Sequence, residues 1–400
     1  MLLKNHLLRL ILYFHIVFFS IFIFGSEISA ARNIILMIGD GMGYQHVNAA
    51  SYYLTGAAGN LSFERFYKCG VTTYSANNPI TDSAAAATAM ATGHKVNNNV
   101  VSQAPDGSPY QTILEYAKGK GKRTGLVTNV PITHATPAAF GAHESSRNNY
   151  ISIGNDYLSS SRPDIIFGGG DPARGGSSYF SASQVATAQT LGYQVVYNNS
   201  QMSVLNPATT SRAIGLFAGG DMTYEYDRLP DNLEPHLSQM TIKALDIMDA
   251  DSDGFFLMIE GGLIDHAAHG NWIERTTCEV VEFHNSVQAV LNWMQGRSDT
   301  LLIVVADHET GGLTVTNRGA GVYPLASWTS TGHTAANVPL YTTGADSFLI
   351  DAYVANGVVD NTDIYFFMRD AFDVVPEPSG IFVLAAGICM FFPMCRRLRQ

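Results

Sequence analysis

Three apolar stretches of this chain stop on carboxylates. NIILMI runs into Gly39-Asp40-Gly41, FFLMI into Glu260-Gly261-Gly262, and LLIVVA into Asp307-His308-Glu309. Runs that are apolar throughout read as strands covered on both faces, and open α/β sheets place their ligands beyond the carboxyl ends of such strands. One carboxylate there is chance; three indicate a site, with glycines beside two of them to admit close approach. The histidines follow the same geography. In EGGLIDHAAH, Asp265 and His269 are four apart, so on a helix they face the same way and can grip one metal ion. Asp307-His308 is an adjacent pair, which suits a turn, and His333 lies in the polar loop WTSTGHTA. THATPAAFGAHESSRN supplies His134, Thr136, His143 and Arg147. Singly, each has an ordinary structural explanation; together, they have the composition from which zinc sites are assembled.

A nucleophile is on offer as well. TDSAAAATAMATG sets one hydroxyl at the head of an alanine run. Ala84 to Met90 are strong helix formers and Gly93 is a natural stop. With Thr81 or Asp82 as the cap, Ser83 falls in the first turn. Free N–H groups and the positive end of the helix dipole gather there and attract anions, phosphate above all. Taken alone, the stretch is equally an ordinary capped helix.

The elements that must position these residues alternate. Strands are expected at 33–38, 124–128, 164–167, 255–259 and 301–306, separated by helical patterns. Leu237, Met240, Ala244, Leu245 and Met248 share one helix face, and Val280, Val287, Leu291 and Met294 share another. The alternation indicates an α/β sandwich around a largely parallel sheet. No repeat or low-complexity linker divides residues 31–375, which read as one domain. Of 400 residues, 46% are hydrophobic and 14% charged, ample for a large core. A formal net charge of −11 argues against a nucleic-acid partner, so an anionic substrate needs local positive charge from metals or a few arginines.

Both ends differ from the body. Residues 1–30 carry Lys4 and Arg9, a long apolar run and small residues at Ser29, Ala30 and Ala31, the layout of a cleaved signal peptide, with an uncleaved anchor as the alternative. Residues 376–400 join a Pro-containing break, a short apolar segment and RRLR. This tail closely resembles the PEP-CTERM sorting signal of exopolysaccharide-producing Gram-negative bacteria. The resemblance implies export to the periplasm, envelope or exterior and transient membrane association through the tail; a simple tail anchor is the rival reading. Cys69 and Cys278 are the only body cysteines, and sequence leaves open whether they pair.

In combination, GDGMG, TDSAAAATAMATG, THATPAAF…SRN, EGGLIDHAAH, ADHETGG and STGHTA closely resemble the alkaline phosphatase family in order and spacing, across residues 33–350. The resemblance implies a three-layer α/β/α sandwich and hydrolysis of small phosphate monoesters. It implies a phosphoserine on Ser83, with Arg147 forked onto two phosphate oxygens and Asp82 orienting that arginine. It further implies one zinc on Asp265, His269 and His333, a second on Asp307, His308 and Asp40, and magnesium on Asp40, Thr136 and Glu260. His134 and His266 stand near the ligands where some relatives carry Asp and Lys, and this pair implies a looser preference for magnesium. Only about twenty residues separate ADHETGG from His333. The crown insertion that contributes to dimer contacts in many relatives is therefore reduced, and monomer and dimer both stay open.

Rival readings are weaker. A sulfatase or phosphodiesterase of the same superfamily lacks support, since no C/S-x-P-x-R motif is visible and Arg147 suits a dianionic monoester. A non-catalytic envelope protein is expected to have lost a ligand, and none is missing. Asp249, Asp251, Asp253, Gly254 and Glu260 match a calcium-loop pattern, but FFLMI between them reads as a buried strand. GDGMG is no dinucleotide fingerprint, because its third glycine comes one residue early.

Overall fold

The computed structural model describes residues 31–374; the expected signal peptide and sorting tail lie outside them. The strands are β1 Asn33–Gly39, β2 Tyr67–Thr72, β3 Arg123–Pro131, β4 Ile165–Gly169, β5 Gln194–Val196, β6 Ala213–Leu216, β7 Phe255–Gly261 and β8 Thr300–Ala306, then β9 Glu309–Thr310, β10 Thr314–Thr316, β11 Leu325–Ser327, β12 His333–Thr334, β13 Val338–Gly344 and β14 Val358–Asp360. The helices are α1 Tyr44–Thr55, α2 Ser83–Thr92, α3 Ile113–Gly119, α4 Ala135–Gly141, α5 Tyr150–Ser159, α6 Ala182–Thr190, α7 Asn199–Ser203, α8 Leu237–Met248, α9 Leu263–His269, α10 Ile273–Trp293 and α11 Asp363–Asp373.

Ten strands form one sheet in the order β14-β2-β13-β8-β1-β7-β3-β4-β6-β5. All neighbours are parallel except β13, which runs antiparallel to both β2 and β8. At the centre, Ile38 of β1 lies beside Glu260 of β7 and Val305 of β8, so these strands end level with one another. Each of the three is buried along its whole length, which is why it reads as a continuous apolar run.

Helices cover both faces. α8, α9, α10 and α1 pack among themselves on one side, and α2, α3, α4 and α11 on the other, with β3 and β7 touched by both groups. The expected face of α8 is buried throughout. On α10, Val280 and Val287 are buried while Leu291 and, just past the helix end, Met294 are half-buried against the core. The three-layer sandwich is as expected, and residues 311–332, the place of the crown, hold the small β10–β11 hairpin. Cys69 and Cys278 are both free thiols.

α2 is buried on every side. Alanine makes that possible, because its small side chain lets α4 and α11 come close all round. Asp82 Oδ1 accepts from Ala85 N at 3.0 Å and supplies the cap, while Gly93 closes the helix at φ +75°. Ser83 is thereby fixed as the first residue of a rigid element.

Candidate active site

The strand ends converge as expected. Asp40 follows β1, Glu260 closes β7, and Asp307-His308 follow β8. Ser83, on the first turn of α2, places its Oγ 3.3 Å from His308 Nε2.

Three groups of donors surround this point. Asp265, His269 and His333 form the first, with His269 Nε2 3.2 Å from Asp265 Oδ2 and 3.2 Å from His333 Nε2. Backbone carbonyls fix both imidazoles from behind: Thr331 O meets His269 Nδ1, and Thr81 O meets His333 Nδ1 at 2.8 Å. In each ring the other nitrogen is aimed into the site, the arrangement that orients ligating histidines. Asp40, Asp307 and His308 form the second group, where His308 Nε2 lies 3.3 Å from Asp40 Oδ1 and 3.2 Å from Asp307 Oδ2. Asp307 Oδ1 accepts from the N–H groups of Gly41 and His308. The third group is Asp40, His134 and Glu260, so His134 sits among the donors and not merely behind them. Thr128 Oγ1 donates to Glu260 Oε2.

The electrostatics call for cations. Both oxygens of Asp40, Oδ2 of Asp307, Oε1 of Glu260, Oγ1 of Thr136 and Nδ1 of His134 are buried without a hydrogen-bond partner. Unpaired buried carboxylate oxygens are costly, and burial drives the protein's own chemistry accordingly. It pushes Asp307 up to about 8, with the Asp265 and Glu260 charges adding, and raises Asp40 and Glu260 as well. His308 and His134 are held neutral by burial, in the form that ligates metals. Asp265 is the exception: burial would raise it, but a hydrogen bond from His269 and the neighbouring imidazoles depress it. The atoms left unpaired in the second and third groups, and the convergent carboxylate and imidazole atoms of the first, fit divalent metals.

Arg147 supplies the fixed positive charge. NH1 donates to Asp82 Oδ2 at 3.2 Å and NH2 to His134 Nε2 at 3.1 Å, so the guanidinium plane is held from two sides. Asp82 therefore orients Arg147, caps α2 and also accepts from Asn99 N at 3.0 Å. His266 stands against His134 edge to face at 5.4 Å, and its Nδ1 lies 2.8 Å from Asp221 Oδ2.

Other side chains here were not legible as site residues. Asp221 ends the stretch Phe217-Ala218-Gly219-Gly220 that follows β6, a fourth strand-end carboxylate with the same signal as the other three. Thr310 donates to Asp265 Oδ1. His46 on α1 is fully buried, edge-on to Trp328, with both ring nitrogens unpartnered; burial pushes it down to about 4, so it is neutral. His143 stays outside the site, paired with Glu115 at 3.0 Å.

The calcium-loop pattern dissolves in three dimensions. Arg297 forks onto Asp249, Arg123 lies 3.3 Å from Asp251, and Glu260 is at the far end of β7, inside the third donor group. Asp249 and Asp251 are paired with arginines at a turn into a strand.

Known proteins share this architecture. The alkaline phosphatase family profile matches residues 31–327. Alkaline phosphatase 3 of Bacillus subtilis is 37% identical over 295 residues, covering 71% of this chain and 62% of that protein. The chain thus spans about 62% of the length of this relative. Alkaline phosphatase H of Pseudomonas aeruginosa is 30% identical over 414 residues, covering 86% of each chain. The crystal structure of a cold-active alkaline phosphatase from Shewanella superposes with a TM-score of 0.75 at 29% identity, covering 85% of this chain and 99% of that one.

Proposed function

Since the chain belongs to the alkaline phosphatase family, we propose that it is an exported hydrolase of small phosphate monoesters. It works through a phosphoserine on Ser83, with two zinc ions and one magnesium ion. The observation that carries the reading is the position of Ser83 Oγ, 3.3 Å from His308 Nε2, beside buried carboxylate oxygens of Asp40, Asp307 and Glu260 that have no hydrogen-bond partner.

Asp265, His269 and His333 would hold one zinc and Asp40, Asp307 and His308 the other. Asp40, Thr136 and Glu260 would hold magnesium, with His134 beside them. Bound there, the ions supply Lewis-acid charge that makes a hydroxyl nucleophilic at neutral pH and steadies a departing oxygen. The chain's own residues do the rest. Arg147 grips two phosphoryl oxygens through its fork, in a plane fixed by Asp82 and His134. The first turn of α2 presents Ser83 Oγ and its own N–H groups to the same phosphoryl group. Ser83 Oγ attacks phosphorus as the bond to the alcohol oxygen breaks, and the alcohol leaves with a proton. Water then attacks the phosphoserine, restoring Ser83 and releasing inorganic phosphate.

His134 adds an imidazole to the third group, where magnesium prefers oxygen ligands; the preference for magnesium is accordingly looser. Export and the sorting tail rest on residues 1–30 and 376–400 alone. Among the described residues no helix is long and apolar enough to cross a membrane.

The test is hydrolysis of p-nitrophenyl phosphate by the metal-loaded protein, beside Ser83→Ala and an EDTA-stripped sample. Activity lost in both controls, with metal retained by Ser83→Ala, is the expected result. Cleavage of bis-p-nitrophenyl phosphate or an aryl sulfate in preference to the monoester would overturn it.

A further inference from the structure

The helix that bears Asp265, His266 and His269 has no cap of its own. α9 begins after Gly262, which offers no side chain, and the N–H of Leu263 is taken instead by Asn129 Oδ1 of β3 at 3.2 Å. Asn129 is in turn held by α10: its Nδ2 donates to Glu279 Oε2 at 3.1 Å. The other oxygen of that carboxylate, Oε1, accepts from Glu225 N at 2.7 Å. Residues 221–227 are tied to the same point from the other end, since Met222 N donates to Asn129 O at 3.0 Å. That segment carries Asp221, the partner of His266.

Glu279 thus adds a link between two parts of the site, the start of the metal-bearing helix and the segment that pins His266, beside the Asn129 backbone oxygen and the His266–Asp221 pair that also join them. It is 2% exposed, and the reaction as derived above makes no use of it. We propose that Glu279 is a positioning residue for the phosphatase site: as a carboxylate it tightens α9 and the 221–227 segment into one registry, and as a neutral acid it loosens one of its two ties. The inference rests on the phosphatase reading for its consequence, though not for its geometry.

The logic is hydrogen-bond counting. Both oxygens face donors, so both must accept. Adding a proton leaves one oxygen a full acceptor and makes the other a hydroxyl, a poorer acceptor whose hydrogen competes for the same space, so one of the two ties is loosened. The charged groups facing Glu279 are Glu225 and Arg228 of the adjoining segment and Glu282 on its own helix. His236, at the start of α8, is bonded to Glu225 at 2.8 Å. Burial, aided by Glu225 and Glu282, pushes Glu279 up to about 8, against the pull of the Glu225 N–H and Arg228. The registry is tight above that pH and looser below it.

Hydrogen–deuterium exchange on the metal-loaded full chain tests this, reading peptides that cover residues 221–227 and 262–270 from neutral to alkaline pH with the intrinsic rate divided out. Protection of these peptides should rise about fivefold as pH passes about 8, the worth of one hydrogen bond. The same step should appear in the wild-type kcat for p-nitrophenyl phosphate as a limb near pH 8; Glu279→Gln, an isostere fixed in the neutral pattern, should show neither the protection step nor that limb, with KM unchanged. A wild-type protein without the step overturns the proposal whether or not the variant folds. So does a Gln variant that keeps the step. A step without any phosphatase activity would refute the functional reading and leave the tie standing; activity without a step would do the reverse.

Discussion

Asp82 serves two ends with two oxygens, and they can be separated. Oδ1 caps α2 through Ala85 N, while Oδ2 accepts from Asn99 N and pairs with Arg147 at 3.2 Å. Asp82→Ala removes everything at once. The lost cap costs about 1 kcal/mol, and the exposed Asn99 N–H, which water can take up, adds at most about 0.5 kcal/mol, so the domain should lose about 1–1.5 kcal/mol in urea unfolding. Arg147 is left with His134 as its one anchor. The side chains of the Arg147–Asp82 pair are 18% and 17% exposed, so solvent screens it little. Loosening the guanidinium should therefore weaken phosphate by about 1 kcal/mol, roughly fivefold in the inhibition constant of inorganic phosphate. Asp82→Asn keeps the acceptor that caps the helix but puts an amide against Arg147. Its stability should recover by about 1 kcal/mol while the phosphate constant stays fivefold weaker. Because the product leaves more easily, kcat should not fall in proportion. An Asn variant with wild-type phosphate affinity, or variants in which stability and affinity move together, would refute this division of labour.

Three further changes have defined outcomes. Gly41 holds φ at +70°, and a Cβ there would lie 2.7 Å from Thr310 Oγ1 and 2.9 Å from Asp265 Oδ1; Gly41→Ala should cost about 1–3 kcal/mol and lower the metal content, and an unchanged zinc count would contradict the crowding. His143 is pushed down by burial but raised on balance by Glu115 and Ser102 O, while Glu115, though buried, is lowered on balance by His143. A raised histidine stabilises fully below its unfolded value near 6.5 and loses this as pH rises through its folded value. A lowered glutamate stabilises above about 4.5 and loses this as pH falls. The pair is therefore strongest between those values, and His143→Gln should cost about 1 kcal/mol near pH 6 and clearly less near pH 9, with equal losses at both arguing against the pairing. Arg297→Ala, which frees Asp249, should destabilise by at most about 1 kcal/mol and leave activity intact, and millimolar calcium should not raise the thermal midpoint of the parent protein; protection by calcium would revive the loop reading.

What sequence disclosed and withheld has a physical pattern. β1, β7 and β8 are buried on both faces, so their composition alone announced them, and the ligands that follow them came with the announcement. β13 and β2 did not read as strands. VPLYTTG carries Pro339 and YKCGVT carries Lys68 and Gly70, and what makes them strands is pairing across more than 260 residues of chain, Pro339 beside Gly70. The candidate donors were legible because their types and spacings are chemical. Asn129, Thr310 and Glu279 were not, because an amide, a hydroxyl or a carboxylate that holds another residue in place carries no local signature, and Asp221, though it follows a strand as the other carboxylates do, is separated by four residues from one too short to announce itself. Only the folded contact assigns it. His134 shows the limit from the other side: the sequence named it, but its place among the donors of the third group depends on how β3 turns into α4.

The central position of β1 has a cost in time. It emerges early in translation yet pairs on either side with β7 and β8, Ile34 beside Phe256 and Leu301. Until those strands exist, an apolar segment with two open edges must wait, the condition that invites misassembly and chaperone capture. His333 arrives later still, so the first donor group cannot be complete before almost the entire domain is made. Metal at that group cannot nucleate folding; it can only stabilise a chain that has already found its topology.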